Sequence, residues 1–165
     1  MGFWETVLPG YKGYREREDS RNSDKLLREY LTQRLRQGRD LFDDIKASLA
    51  ANGKLDLLNP AENVTQILSK VTDRLRYANY GFSGKWFGKG KIDSERLERV
   101  HAADQRLVEQ VTDLLDRLRG MEDIGDEQAC KTTCTNLTNA LKEMNEALNE
   151  REQILRDYGG QPGSE

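Results

Sequence analysis

The chain has 165 residues, of which 33% are charged and 36% apolar; its mean hydropathy is −0.85 and its formal net charge −3. That length fits one domain with a real core, and the composition is that of long solvated helices that each bury one stripe. The acidic balance argues against a dedicated nucleic-acid binder, and no apolar run reaches the roughly 18 residues that a membrane span requires.

Residues 1–18 read as an apolar and aromatic arm. Phe3, Trp4, Val7 and Leu8 fall on one face of a short helix, and Pro9-Gly10 turns the chain after it. At roughly 1.5 to 3 kcal/mol per buried large side chain, this surface must be covered by the end of the bundle, a partner or a membrane interface. Gly2 with Thr6 also fits the low-specificity myristoylation pattern. The N-terminus lacks a basic leader with an apolar core and cleavage site, so a cytoplasmic location is expected, peripheral at the membrane if the arm inserts. The stretch from Tyr11 to Glu18 carries charges of both signs and reads as a solvated approach to the first helix.

Leu27, Leu31, Leu35, Leu41, Phe42, Ile45 and Leu49 mark a helix over about 19–51, ended by Asn52-Gly53. Gly38 interrupts it at a cost of about 1 kcal/mol against alanine, for a close crossing, for a kink or through simple tolerance. Asn59-Pro60-Ala61-Glu62 supplies a cap, a first-turn proline and an acid, predicting a second helix over 60–78 through Val64, Ile67, Leu68, Val71 and Leu75. A third helix over 93–119 is the clearest: Leu97, Val100, Asp104, Leu107, Val111, Leu114, Leu118 and Met121 step by three and four. Asp93 caps it, and Ile92 with Leu97 stands at staple spacing. The fourth, over 126–158, repeats the rhythm through Cys130, Cys134, Leu137, Leu141, Met144, Leu148, Arg151 and Leu155. The glycine-rich residues 159–165 read as a disordered tail.

These elements predict an all-α protein, an antiparallel up-down-up-down four-helix bundle with coiled-coil-like packing; a rod-like homodimeric coiled coil is the alternative. Chain reversal at each turn would bring the arm, the 79–92 loop and the C-terminus to one pole. Ten of the twelve aromatics lie in those segments. Tyr77 to Lys91 alone holds five aromatics, four glycines and three lysines without an acid. Such a stretch can cap a core, fill pockets on a partner, rest on anionic headgroups or stack bases.

Signals for chemistry are sparse. Glu98 and His101 spell the Glu-x-x-His pair of di-iron bundles, but that site needs a second such pair and His101 is the sole histidine. Asp104 occupies a seam position and must be paired, hydrated or protonated, with His101 one turn away and an arginine of a facing helix in reach. Cys130 and Cys134, four apart, lack redox or zinc spacing and read as small buried hydrophobes. No catalytic residue, cofactor or metal is expected. The expected working surface is Phe3, Trp4, Tyr80, Phe82, Lys85, Trp86, Phe87, Lys89 and Lys91, with His101 and Asp104 as polar seam residues. The leading expectation is a non-enzymatic adaptor or regulatory protein that binds a protein partner, with self-association second. The rival is a peripheral protein inserting its N-terminal helix into an anionic membrane; nucleic acid is not expected. A short apolar helix ahead of coiled-coil helices is similar to membrane-remodelling phage-shock proteins. Their very long helical hairpin has no counterpart here, and no residue role passes from them.

Overall fold

The computed structural model describes residues 2–13, 17–77, 94–121 and 125–159, with the backbone alone for 17–20 and 156–159. The protein is all-helical among these residues, with helices α1 (Phe3–Val7), α2 (Arg17–Ala51), α3 (Leu58–Arg76), α4 (Ser94–Gly120) and α5 (Glu127–Gly159) packed against one another. Tyr80, Phe82, Lys85, Trp86, Phe87, Lys89 and Lys91 lie outside the described residues, as do the expected Asp93 cap, the Ile92 staple and most of the expected tail.

The periodic apolar positions are the ones that fill the core. Leu27, Leu31, Leu35 and Phe42 of α2 are buried with Val64, Leu68, Val71 and Leu75 of α3. Val100, Leu107, Val111, Leu114 and Leu118 of α4 meet Leu137, Leu141, Met144, Leu148 and Leu155 of α5 in the same core. The close pairs are α2 with α3, α4 with α5, α3 with α5 and α2 with α4. Surface ion pairs register the helices: Lys46 with Glu62 at 3.3 Å, Lys54 with Glu127 at 3.2 Å and Arg74 with Glu152 at 2.9 Å.

Gly38 marks a close approach of α2 to α4. A Cβ placed there would sit 3.1 Å from both Leu115 Cδ2 and Leu118 Cδ1, so a side chain would crowd two buried leucines. Of the readings open in the sequence, the close crossing is the one realised. At the end of α2, Gly53 takes a positive φ of +70°. The Lys54 amide donates to the Leu49 carbonyl and the Gly53 amide to that of Ala50, the bond pair of a Schellman termination.

Two helix starts differ in kind. Asp126 accepts from the Gln128 and Ala129 amides at 3.3 and 3.2 Å and so caps α5. The start expected for the second helix is displaced: a 3-10 turn over Leu55–Leu57 runs straight into α3 at Leu58, and Leu57 makes no side-chain cap. Burial of Leu57 continues the helix backwards past Asn59, whose expected capping role is therefore lost. α3 also ends at Arg76, short of the expected residue 78, and α2 reaches two residues further into the arm than expected.

Candidate functional site

Three seam positions, one on each of three helices, carry charge in place of an aliphatic side chain. Asp104 on α4 is 0% exposed, Asp24 on α2 1% and Arg151 on α5 5%. Arg151 joins the other two: its Nε donates to Asp104 Oδ1 at 2.6 Å and its Nη2 lies 2.7 Å from Asp24 Oδ1. Arg28, one turn along α2, donates from Nε to Asp24 Oδ2 at 2.6 Å and from Nη1 to the Leu75 carbonyl at 3.3 Å. Two carboxylates are thus faced by two guanidiniums, which is what lets such charge stay out of water. The expectation that an arginine of a facing helix reaches Asp104 is met by Arg151.

The fourth side of Asp104 belongs to the arm. Tyr11 Oη donates to Asp104 Oδ2 at 2.6 Å, and His101 Nδ1 lies 3.4 Å from the same hydroxyl. Tyr11 is only 9% exposed, which corrects the reading of the stretch from residue 11 as solvated. A phenol carries both apolar area and a donor, so burial of the ring and neutral pairing of Asp104 are achieved by one side chain. Ser23 Oγ adds a bond to the Gly13 carbonyl at 2.8 Å. Gly13 itself has φ +84°, and a Cβ there would lie 2.5 Å from His101 Cε1 and Nε2. Only glycine fits between that backbone and the imidazole.

On this base the aromatics of the arm are stacked. The Trp4 ring lies parallel on Tyr11 at 4.2 Å and 22°, and the His101 ring meets Tyr11 edge-on at 5.6 Å. Phe3 stands against Trp4 at 4.9 Å and 86°, with 36% of its surface exposed. Leu8 is buried and Val7 half-buried. Phe3 and Val7, with Tyr30 of α2 and Val108 and Thr112 of α4, line an open groove of about 380 Å³. Glu109, Asp113 and Asp116 form its acidic side. The arm therefore lies along α2 and α4 and not only at their ends.

Glu98 of the Glu-x-x-His pair is exposed, whereas His101 is turned to Tyr11 and Gly13. Among the described residues no three histidine, cysteine or acidic side chains are grouped to hold a metal ion. Cys130 and Cys134 are buried as free thiols, and desolvation, with the neighbouring Cys130, pushes the Cys134 thiol up to about 12. No helix among the described residues is long and apolar enough to cross a membrane.

Of the residues singled out from sequence, Asp104, His101, Phe3 and Trp4 lie in this cluster, and Tyr11, Gly13, Asp24 and Arg28 join them without having been singled out. A signal existed for Asp24: it precedes Leu27, Leu31 and Leu35 at the same three-and-four spacing. A charge on an apolar stripe asks for a partner on another stripe, and Arg151 is that partner. Comparison with protein-family models, with curated proteins and with solved structures gives no match.

Proposed function

We propose that this protein is a non-enzymatic adaptor or regulatory subunit, a four-helix up-down-up-down bundle that holds an aromatic surface against a protein partner. The observation that carries this reading is the braced aromatic stack. Phe3 rests exposed on Trp4, Trp4 on Tyr11, and Tyr11 is tied to a fully buried carboxylate. Rigid aromatics held in place before contact lose little entropy on binding, which is the property of an interface anchor. Alternating helix directions are supported by the ion pairs between the end of α2 and the start of α5 and between the end of α3 and the latter part of α5. That topology would deliver Tyr80, Phe82, Lys85, Trp86, Phe87, Lys89 and Lys91 to the same end of the bundle as Tyr11, with the lysines steering the encounter.

Membrane insertion of the arm is the weaker reading. Leu8 and Trp4 are already packed on the protein, so insertion would first undo burial worth roughly 1.5 to 3 kcal/mol for a large side chain. A photocrosslinking amino acid placed at position 3 and, separately, at position 86 tests the adaptor reading in the cell that makes the protein. The same protein adduct is expected from both positions and none from exposed Asn136 on α5. Adducts from neither position, combined with flotation of the full chain on anionic vesicles but not of a chain lacking residues 1–10, would replace the adaptor with the membrane protein. Self-association would appear as an adduct of twice the chain mass.

A further inference from the structure

The face of the molecule formed by α2 and α3 carries a second surface. Lys25, Arg28, Glu29, Thr32, Gln33 and Arg36 of α2, with Leu75 and Arg76 of α3, line an open groove of about 500 Å³. Lys25, Arg28 and Arg36 recur at helical spacing, so a row of cations extends about 16 Å along the α2 side at 1.5 Å per residue. Arg21, one turn before Lys25, extends the row, and its buried Nε finds no hydrogen-bond partner among the described residues.

The charges of this row are unequally committed. Arg28 is occupied by Asp24 and the Leu75 carbonyl. Lys25 reaches Glu29 only at 3.9 Å, between two well-exposed side chains, a pair worth little in water. Arg36 and Arg76 are exposed and form no ion pair among the described residues. Arg76 instead lies over the Tyr77 ring at 5.1 Å, and Tyr77 is 61% exposed beside the groove. In a chain of net charge −3, this groove concentrates positive charge, of which Arg36 and Arg76 form no ion pair among the described residues and Lys25 forms only an exposed one.

We propose that the α2–α3 groove binds an acidic peptide segment of a partner protein, with carboxylates on Lys25, Arg36 and Arg76 and an apolar side chain against the exposed Tyr77 ring and the arginine stems. Guanidiniums take carboxylates in a bidentate fork, and the spacing of the row matches acids one or more helical turns apart. The aliphatic arginine stems offer apolar cover that a peptide side chain uses and a nucleic-acid backbone does not, and the chain's net charge of −3 disfavours a long polyanion. The groove is concave, so a flat headgroup layer reaches its rim and not its floor. This inference rests on the reading that the protein acts by holding a partner, and it assigns the acidic part of that partner to the α2–α3 face near the last turn of α3.

The probe is a fluorescein-labelled helical peptide of about four turns with glutamates on one face flanking leucines, followed by anisotropy on the full chain at low salt. Binding is expected, weakened at least tenfold by R36E/R76E and by replacement of the glutamates with glutamine. Binding is expected to stay within twofold in K85A/K89A/K91A. Arg28 is left intact because it holds Asp24, and R36Q/R76Q serves if charge reversal unfolds the protein by circular dichroism. No binding, or equal binding of the glutamine peptide, overturns the proposal. Loss in the triple lysine variant alone overturns it in favour of the pole. Tighter binding of a single-stranded oligonucleotide than of the peptide, abolished by R36E/R76E, would overturn the choice of occupant.

Discussion

Asp104 shows how much one seam position can decide. Its carboxylate is fully buried and touches Arg151 and Tyr11 at 2.6 Å each. Asp104→Ala leaves the buried guanidinium with one acid fewer and the phenol without its acceptor, and breaking a buried pair costs about 3 to 5 kcal/mol. Urea denaturation is expected to report a loss of that order. Tyr11→Phe keeps the ring on which Trp4 stacks and removes only the bond to a charged acceptor, worth about 1.5 to 3 kcal/mol. Faster proteolysis of the arm should accompany that loss, because the bond to Asp104 is one of the polar ties that hold the arm, with the Ser23 bond to Gly13. Gly38→Ala tests the close crossing. Helix propensity favours alanine by about 1 kcal/mol, whereas overpacking a filled core costs about 1 to 3. With two buried leucines 3.1 Å from the new Cβ, net destabilisation by up to about 2 kcal/mol is expected in the same denaturation assay. An increase in stability would remove the crossing as the reason for glycine.

Among the helices, α5 is anchored at its first turn and titratable within. Asp126→Ala should cost about 1 kcal/mol, since two amides lose their acceptor. The Cys134 thiol is raised from 9.0 to about 12, chiefly by desolvation. Because the folded state holds the proton more tightly, its contribution is complete below pH 9 and is lost as pH rises from 9 towards 12. Stability should therefore fall with pH above 9, and less steeply in Cys134→Ala. The native thiol should also resist iodoacetamide at pH 8 and react once the chain is denatured. Helix existence was legible because apolar residues repeat every three and four positions over long stretches. Boundaries were less so. Asn59-Pro60 has the composition of a helix start, yet burial of Leu57 carries the helix back to Leu58, a tertiary effect that no local pattern contains. Tyr11 was hidden for a similar reason, because its partner lies 93 residues away.

At the level of the assembled bundle, the polar network joins α2, α4, α5 and the arm at one height. Replacing one buried ion differs from replacing the set. Arg151→Met alone should be as damaging as Asp104→Ala, because two buried carboxylates lose a guanidinium at once and are left with Arg28 and Tyr11. The combined variant D24L/D104L/R151M/Y11F/R28M removes both carboxylates and both guanidiniums together and is expected to recover most of that loss, with coupling visible as strong non-additivity in denaturation midpoints. A sum of single effects in the combined variant would mean the five side chains act independently. The all-helical architecture could be read from sequence, and so could the need of Asp104 for a partner. What could not be read is that the arm supplies one of those partners. That follows from three-dimensional adjacency of α4 to the segment after α1, and composition carries no trace of it.

Asp104 draws its partners from positions 11 and 151, far to either side of it along the chain. A nascent chain emerging from the ribosome holds Asp104 long before residue 151 exists. Until then Tyr11 is available but the guanidinium is not, so water must stand in for the charged partner and the seam around it stays hydrated. Closure of this seam therefore waits for α5. Chains terminated just short of that arginine should be cleared by cellular proteases although they contain most of the hydrophobic sequence.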